Sequence, residues 1–115
     1  MNKKIKVFAL MMGIMMIFSS VALADYTVRY GNHTLKRGSG SNNSPSLKPF
    51  VANLQSDLNS IGYSCGVADG IYGSKTVTGV TNFQKAHKYD SWGLADDGQA
   101  GRCTKTALYT ICGYN

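Results

Sequence analysis

The sequence predicts a compact all-α domain: a three-helix bundle with two repeated turns, preceded by an irregular N-terminal arm. Three observations carry this. Asp69-Gly70-Ile71-Tyr72-Gly73-Ser74-Lys75-Thr76 recurs as Asp97-Gly98-Gln99-Ala100-Gly101-Arg102-Cys103-Thr104, both copies reading D-G-x-x-G-x-x-T. An internal repeat in a chain of 115 residues is a strong organising signal. Three segments place apolar residues at intervals close to 3.6. A two-residue alternation is visible only weakly, at the start of the arm.

The elements follow in order. Lys3, Lys4 and Lys6 precede an apolar run from Val7 to Phe18, broken only by Gly13, and the segment closes on Ala22-Leu23-Ala24. Basic, apolar, then small is the pattern of a secretory signal peptide over residues 1–24. The run is short for a transmembrane helix. A mature chain from Asp25 leaves all 6 acidic residues, each of them Asp, and lowers the net charge from +6 to +3 as three lysines are lost. That mild excess suits an anionic surface. It is too small, and has no Lys/Arg run, for nucleic acid. A mature chain of this size forms one domain with a core near the lower limit of independent stability.

Residues 25–49 form the arm. Asp25 to Tyr30 alternates weakly and reads as a short extended piece. Residues 38–46 are rich in Gly, Ser and Asn and read as a flexible linker. The arm has too little apolar surface to fold alone, so it either drapes over the core or stays mobile. Residues 50–115 form the domain. Pro49 suits a first helical turn, after which Phe50, Val51, Leu54, Leu58 and Ile61 share one face and Gly62 stops the helix. Thr76, Val77, Val80, Phe83 and His87 give the second helix, in which Gly79 reads as a weakness of about 1 kcal/mol if exposed. Thr104, Ala107, Leu108, Ile111 and Cys112 give the third, ended by Gly113. Each Asp-Gly makes the turn before a helix, because Asp bonds its own backbone and Gly accepts positive φ.

The three cysteines allow one disulfide in an exported chain. Cys103 and Cys112 flank one helix and stand about 13 Å apart at 1.5 Å per residue, too far to pair. An up-down-up bundle brings the end of the third helix level with the turn after the first, which favours Cys65–Cys112.

Leu54-Gln55, Leu58, Gly62-Tyr63, Gly66, Asp69-Gly70-Ile71-Tyr72-Gly73, Thr76, Val80, Phe83-Gln84, Gly93-Leu94, Asp97-Gly98, Gly101, Thr104 and Leu108 together resemble the type-1 peptidoglycan-binding domain, over about residues 51–108. This resemblance implies a non-catalytic domain that recognises the bacterial wall; together with the signal peptide, the expectation is a stand-alone secreted module. It would bind bacterial cell-wall peptidoglycan and assist or target a separate cell-wall hydrolase. Residues 42–48 and 88–92 read as insertions, and Ser74 and Arg102 stand where the family often has Pro.

The expected ligand-binding residues are Tyr63, Asp69, Tyr72, Lys75, Thr76, Gln84, Trp92, Asp97 and Thr104. Tyr63, Tyr72 and Lys75 are placed to project from a loop. Asp69 and Asp97 first hold their own turns. Gln55 and Gln84 serve either as buried hydrogen-bonding groups or as ligand contacts. Trp92, the only Trp, either stacks on a sugar from its inserted loop or caps the core edge. The expected groove lies near Tyr63, Asp69, Tyr72 and Thr76, with Asp97 and Thr104 close by. An enzyme finds little support. No His or Cys spacing marks a metal site, no cofactor is implied, and Asp96-Asp97 is adjacent rather than set across a cleft. The alternative functions are a small cell-wall hydrolase, with Cys103 and His87 as its conceivable thiol pair, or a secreted effector or inhibitor using the module for delivery.

Overall fold

The computed structural model describes residues 26–114; the expected signal peptide lies outside these described residues. Residues 26–30 are helical (α1). A 3-10 turn at Pro45–Leu47 leads directly into α2, Lys48–Ser60. The two remaining helices are α3, Ser74–Ala86, and α4, Arg102–Ile111. Among the described residues there is no β-strand, only an isolated antiparallel bridge between Leu35 and Ala100. The three long helices arise where the apolar spacing predicts them. Gly73 and Gly101 are the N-cap residues of α3 and α4, which puts Thr76 and Thr104 in their first turns.

The core draws Leu54 and Leu58 from α2, Val80 and Phe83 from α3, and Ala107 and Leu108 from α4. Tyr30 and Leu35 from the arm are fully buried in the same cluster. Burying such a side chain contributes about 1.5–3 kcal/mol, so the arm is a sizeable share of a small core.

The first residues of the arm are helical rather than extended. A helix brings Tyr26, Arg29 and Tyr30 to one side, which an extended chain cannot do. Tyr30 meets Tyr109 edge-on at 6.1 Å between centroids, Arg29 reaches Asp57 of α2, and Val28 turns out to solvent. Gly31 ends the segment at φ +72°, its N–H donating to the Thr27 carbonyl at 2.8 Å.

Beyond Gly31 the arm runs along both repeated turns. Leu35 exchanges backbone hydrogen bonds with Ala100 (3.1 and 2.7 Å), while the Gly38 N–H donates to the Tyr72 carbonyl and the Tyr72 N–H to the Ser39 carbonyl, each at 3.0 Å. Tyr72 and Ala100 occupy the same place in the two copies of the repeat. The Gly- and Ser-rich segment is a run of hydrogen-bonded turns: the Ser41 hydroxyl donates to the Gly38 carbonyl at 2.6 Å and the Ser44 hydroxyl accepts from the Gly40 N–H at 3.2 Å. Gly40 has no room for a side chain, since a Cβ there would stand 1.8 Å from the Gly70 carbonyl oxygen.

Two buried charges lock the arm down. Asp57 accepts a two-pronged pair from Arg29 (Nε–Oδ2 2.6 Å, Nη2–Oδ1 2.8 Å), the Tyr30 hydroxyl at 2.6 Å and the Tyr114 hydroxyl at 2.8 Å. Burial alone would push its carboxyl up, but the Arg29, Tyr30 and Tyr114 hydrogen bonds outweigh burial and hold it below the usual carboxylate range. Lys105 of α4 is also buried. Its ammonium donates to the carbonyls of Gly31 (2.8 Å) and His33, and burial lowers it to about 8.

The expected Cys65–Cys112 disulfide is absent, and all three cysteines are free. The loop after α2 turns toward α3, so the Cys65 Sγ lies against Gly79, where an added Cβ would approach it to 2.5 Å. The Cys112 Sγ instead lies 4.0 Å from the Asp57 carbonyl oxygen of α2. Burial pushes the Cys65 thiol up to about 11, away from reactivity. Gly79 is therefore a packing requirement rather than an exposed weakness. A Cβ would also stand 2.9 Å from the Ser64 carbonyl oxygen.

Two stability measurements follow. Gly79→Ala, despite its better helix propensity, should destabilise by about 1–3 kcal/mol in urea unfolding; a gain would show that the loop yields freely. Asp57→Asn should cost about 3 kcal/mol at neutral pH. The wild-type contribution is complete above about pH 4 and is lost as pH falls through the lower folded-state pKa. The urea midpoint of the variant should therefore fall less steeply than that of the wild type below pH 4.

Candidate functional site

The two turns are built by the same side chains. In the first, the Asp69 Oδ1 accepts from the Ile71 N–H at 3.0 Å. Gln55 then reaches across from α2. Its Oε1 accepts from the Gly70 N–H at 2.9 Å, and its Nε2 donates to the Ile71 carbonyl and the Thr76 hydroxyl, both at 2.9 Å, and more weakly to Asp69 Oδ1 at 3.3 Å. In the second, Asp97 Oδ1 accepts from the Gln99 N–H at 3.0 Å. Gln84 of α3 accepts from the Gly98 N–H at 2.9 Å and donates to the Gln99 carbonyl (2.7 Å), Thr104 (3.1 Å) and Asp97 (3.3 Å). Both Gln side chains are buried, where unmet amide groups would each cost about 1–3 kcal/mol. The Ile71 N–H, opposed by slight burial and aided by Gln55, holds the Asp69 carboxyl below its usual range.

Each turn opens onto a hollow. The first, about 430 Å³, is lined by Gln55, Cys65, Val67, Asp69, Ile71, Gly73, Ser74, Lys75 and Thr76. The second, about 240 Å³, is lined by Gln84, Gly93, Ala95, Asp97, Gln99, Gly101, Arg102, Cys103 and Thr104. These nine positions correspond one for one, at an offset of 28 residues except for the Gln pair, where it is 29. The mouths differ. Val67 (80% exposed) and Ile71 (43%) line the first together with Lys75; Ala95 and Gln99 line the second together with Arg102. A smaller depression of about 280 Å³, lined by Ser64, Gly66, Ser74, Lys75 and Thr78, continues from the first. Arg37 Nη1 donates at 3.3 Å to the hydroxyl of Ser74, which lines both. Arg37 and Lys36 in turn line a hollow of about 500 Å³ built from the arm.

The single expected groove is thus divided. Asp69, Lys75 and Thr76 share the first hollow, and Gln84, Asp97 and Thr104 share the second. Tyr63 lines neither: half-buried, it packs edge-on against Phe83 at 5.5 Å. Tyr72 does not project from a loop. It is buried, and its hydroxyl donates to the Gly98 carbonyl at 2.6 Å, joining one turn to the other. The backbone beside the ring is paired with the arm on both its N–H and its C=O. Trp92 is half-buried, its ring edge-on to His87 at 6.2 Å. His87 is held by Asp90 at 2.7 Å and packs on Phe83 at 4.9 Å, while Cys103 lines the second hollow. Among the described residues, no three His, Cys, Asp or Glu side chains gather as a metal site would require, and no helix is long and apolar enough to cross a membrane. Val67, Ile71 and Arg102 were not anticipated. The 28-residue offset between the two D-G-x-x-G-x-x-T copies is the signal that pairs Ile71 with Gln99 and Arg102 with Ser74.

A three-helix domain whose two turns are read by buried glutamines defines a small helical recognition module. Residues 48–108 match the family model described as a putative peptidoglycan binding domain, and the chain belongs to this family. Two spore cortex-lytic enzymes of Bacillus cereus are 30% identical over 112 residues, covering 97% of this chain and 38% of theirs. The chain therefore spans well under half the length of these curated relatives. No solved structure matches it at a significant level.

Replacing Gln84 by Leu keeps the volume but strands the Gly98 N–H and the Gln99 carbonyl. Gln84→Leu should cost about 2–4 kcal/mol and speed amide exchange at Gly98. Unchanged protection of that amide would mean that Gln84 does not hold the turn.

Proposed function

We propose that this protein is a secreted, non-catalytic module that binds bacterial cell-wall peptidoglycan. The observation that carries the reading is the first hollow, set within the family-matched segment. It combines Asp69, Lys75 and the exposed Val67 and Ile71 around one open space. Stem peptides and their sugars offer the complementary groups: carboxylates, amines, hydroxyls and small methyl-bearing side chains. An open, partly apolar recess with a few fixed polar groups is a common form of binding site.

The leader-like residues 1–24 support export, to the periplasm, the wall or the medium. The relatives named as spore cortex-lytic enzymes extend well beyond the segment they share with this chain. By analogy, a cell-wall hydrolase is the partner that such a module would assist. The competing reading, a small hydrolase, asks for a nucleophile or acid at the site. His87 is engaged with Asp90 and the aromatic cluster, and Cys103 lies in the second hollow among Gln84, Asp97 and Thr104.

The test is retention of purified protein on protein-free sacculi. Wild type should be retained without releasing soluble muropeptides, and Lys75→Glu with Asp69→Asn should be retained at least about tenfold less, a loss of about 1.4 kcal/mol. Equal retention of the double variant would remove the hollow from the reading. Muropeptide release abolished by Cys103→Ser or His87→Ala would replace binding with hydrolysis.

A further inference from the structure

We infer that the second hollow is a second peptidoglycan subsite, so that one chain holds the wall polymer at two points of related but unequal chemistry. The inference rests on the peptidoglycan reading and extends it from one site to two.

The repeat itself does not require this. Holding the turn needs only the Gln, Asp and Thr side chains and the Gly backbone, and these are accounted for by internal hydrogen bonds. The side chains of Val67, Ile71 and Lys75 in the first hollow, and of Ala95, Gln99 and Arg102 in the second, are exposed and take no part in the turn's hydrogen bonds. Yet each hollow has a basic residue in its lining, Lys75 in the first and Arg102 in the second; Lys48 also acts on the Asp69 carboxylate, and Arg37 is bonded to Ser74. Lys75 and Arg102 are not at equivalent places. Lys75 corresponds to Cys103 and Arg102 to Ser74, so neither is a copy of the other. A cation has thus been placed beside the same Asp–Gln–Thr floor from two different positions, which strict duplication of a turn does not explain.

Geometry sets the ligand class. In both copies the hydrogen bonds from the turn and from the Gln fall on Oδ1 of the Asp. The carboxylate thus keeps acceptor capacity for a hydroxyl or an amine, since an ionised carboxylate offers about four acceptor sites. The neighbouring cation suits an acidic group. The unit that satisfies both is acidic and carries hydroxyl or amine donors, as a sugar–peptide repeat of the wall does. The sites are unequal because Val67 and Ile71 give the larger hollow an apolar rim, where the smaller has Ala95 and Gln99. The first takes a methyl-bearing portion of the unit, and the second a more polar one.

Two contacts on one polymer multiply affinity without new chemistry. Titration of the purified protein with a single disaccharide-tetrapeptide muropeptide should give two bound per chain, and one for either Lys75→Glu or Arg102→Glu. Retention on intact sacculi should fall about tenfold or more in each single variant. Both side chains are exposed, and circular dichroism checks the fold. Independently of any variant, the wild-type Gln99 and Gly101 amide signals should move on muropeptide addition. One muropeptide per chain, or signals at Gln99 and Gly101 that stay fixed while those at Ile71 and Gly73 move, would overturn the second subsite and leave the peptidoglycan reading standing. Wild type that is not retained on sacculi and moves neither set would bring down both.

Discussion

A buried glutamine amide that reads the backbone of the next turn is the interaction on which the rest of this structure depends. Gln55 and Gln84 each accept from a turn N–H and donate to a turn carbonyl and a threonine hydroxyl. A single side chain thus ties one helix to both the turn and the helix that follow it. Satisfied, such a group fixes one geometry; half-satisfied, it costs more than an apolar residue would. The demand propagates outward. The Asp side chains must occupy the turn N–H groups, and Gly70 and Gly98 must adopt positive φ.

The arm completes what the glutamines begin. By pairing with Tyr72 and Ala100 it covers the same point in both turns. The backbone there would otherwise face either water or an empty edge. The charges inside the fold serve the same closure. Asp57 joins α2 to α1 and to the C-terminal Tyr114, and Lys105 draws the Gly31 and His33 carbonyls onto α4. Without any disulfide among the described residues, these polar ties take the place that a cross-link has in many small domains.

This division of labour leaves the rims of the two hollows free to vary. The floor of each hollow is committed to the fold, whereas its mouth is not. Val67 and Ile71 beside Lys75, and Ala95 and Gln99 beside Arg102, can therefore differ without disturbing the turns beneath. A module of this kind can be retuned in chemistry at nearly constant stability, since exposed substitutions away from buried networks usually matter little to folding.

The sequence by itself determined the three long helices, the two repeated turns and the family. Each rests on local physics: apolar spacing along α2, α3 and α4, Asp-Gly turn chemistry, and glycine at the two N-caps. Tertiary structure decided what local physics leaves open. Tyr26, Val28 and Tyr30 alternate as a strand would, but Tyr30 is buried with Tyr109 and Arg29 meets Asp57 only if the segment is helical. Tyr72 could have faced water or the core; it is buried, with its hydroxyl on the Gly98 carbonyl and its backbone paired with the arm. Cys65 and Cys112 were consistent with a bond until the loop after α2 settled against Gly79. The site divided in the same way. Asp69 and Asp97 were legible in the repeat, but the separation into two hollows with different rims was not. Which exposed side chains border a common space is set by packing between distant segments, and no spacing along the chain encodes it.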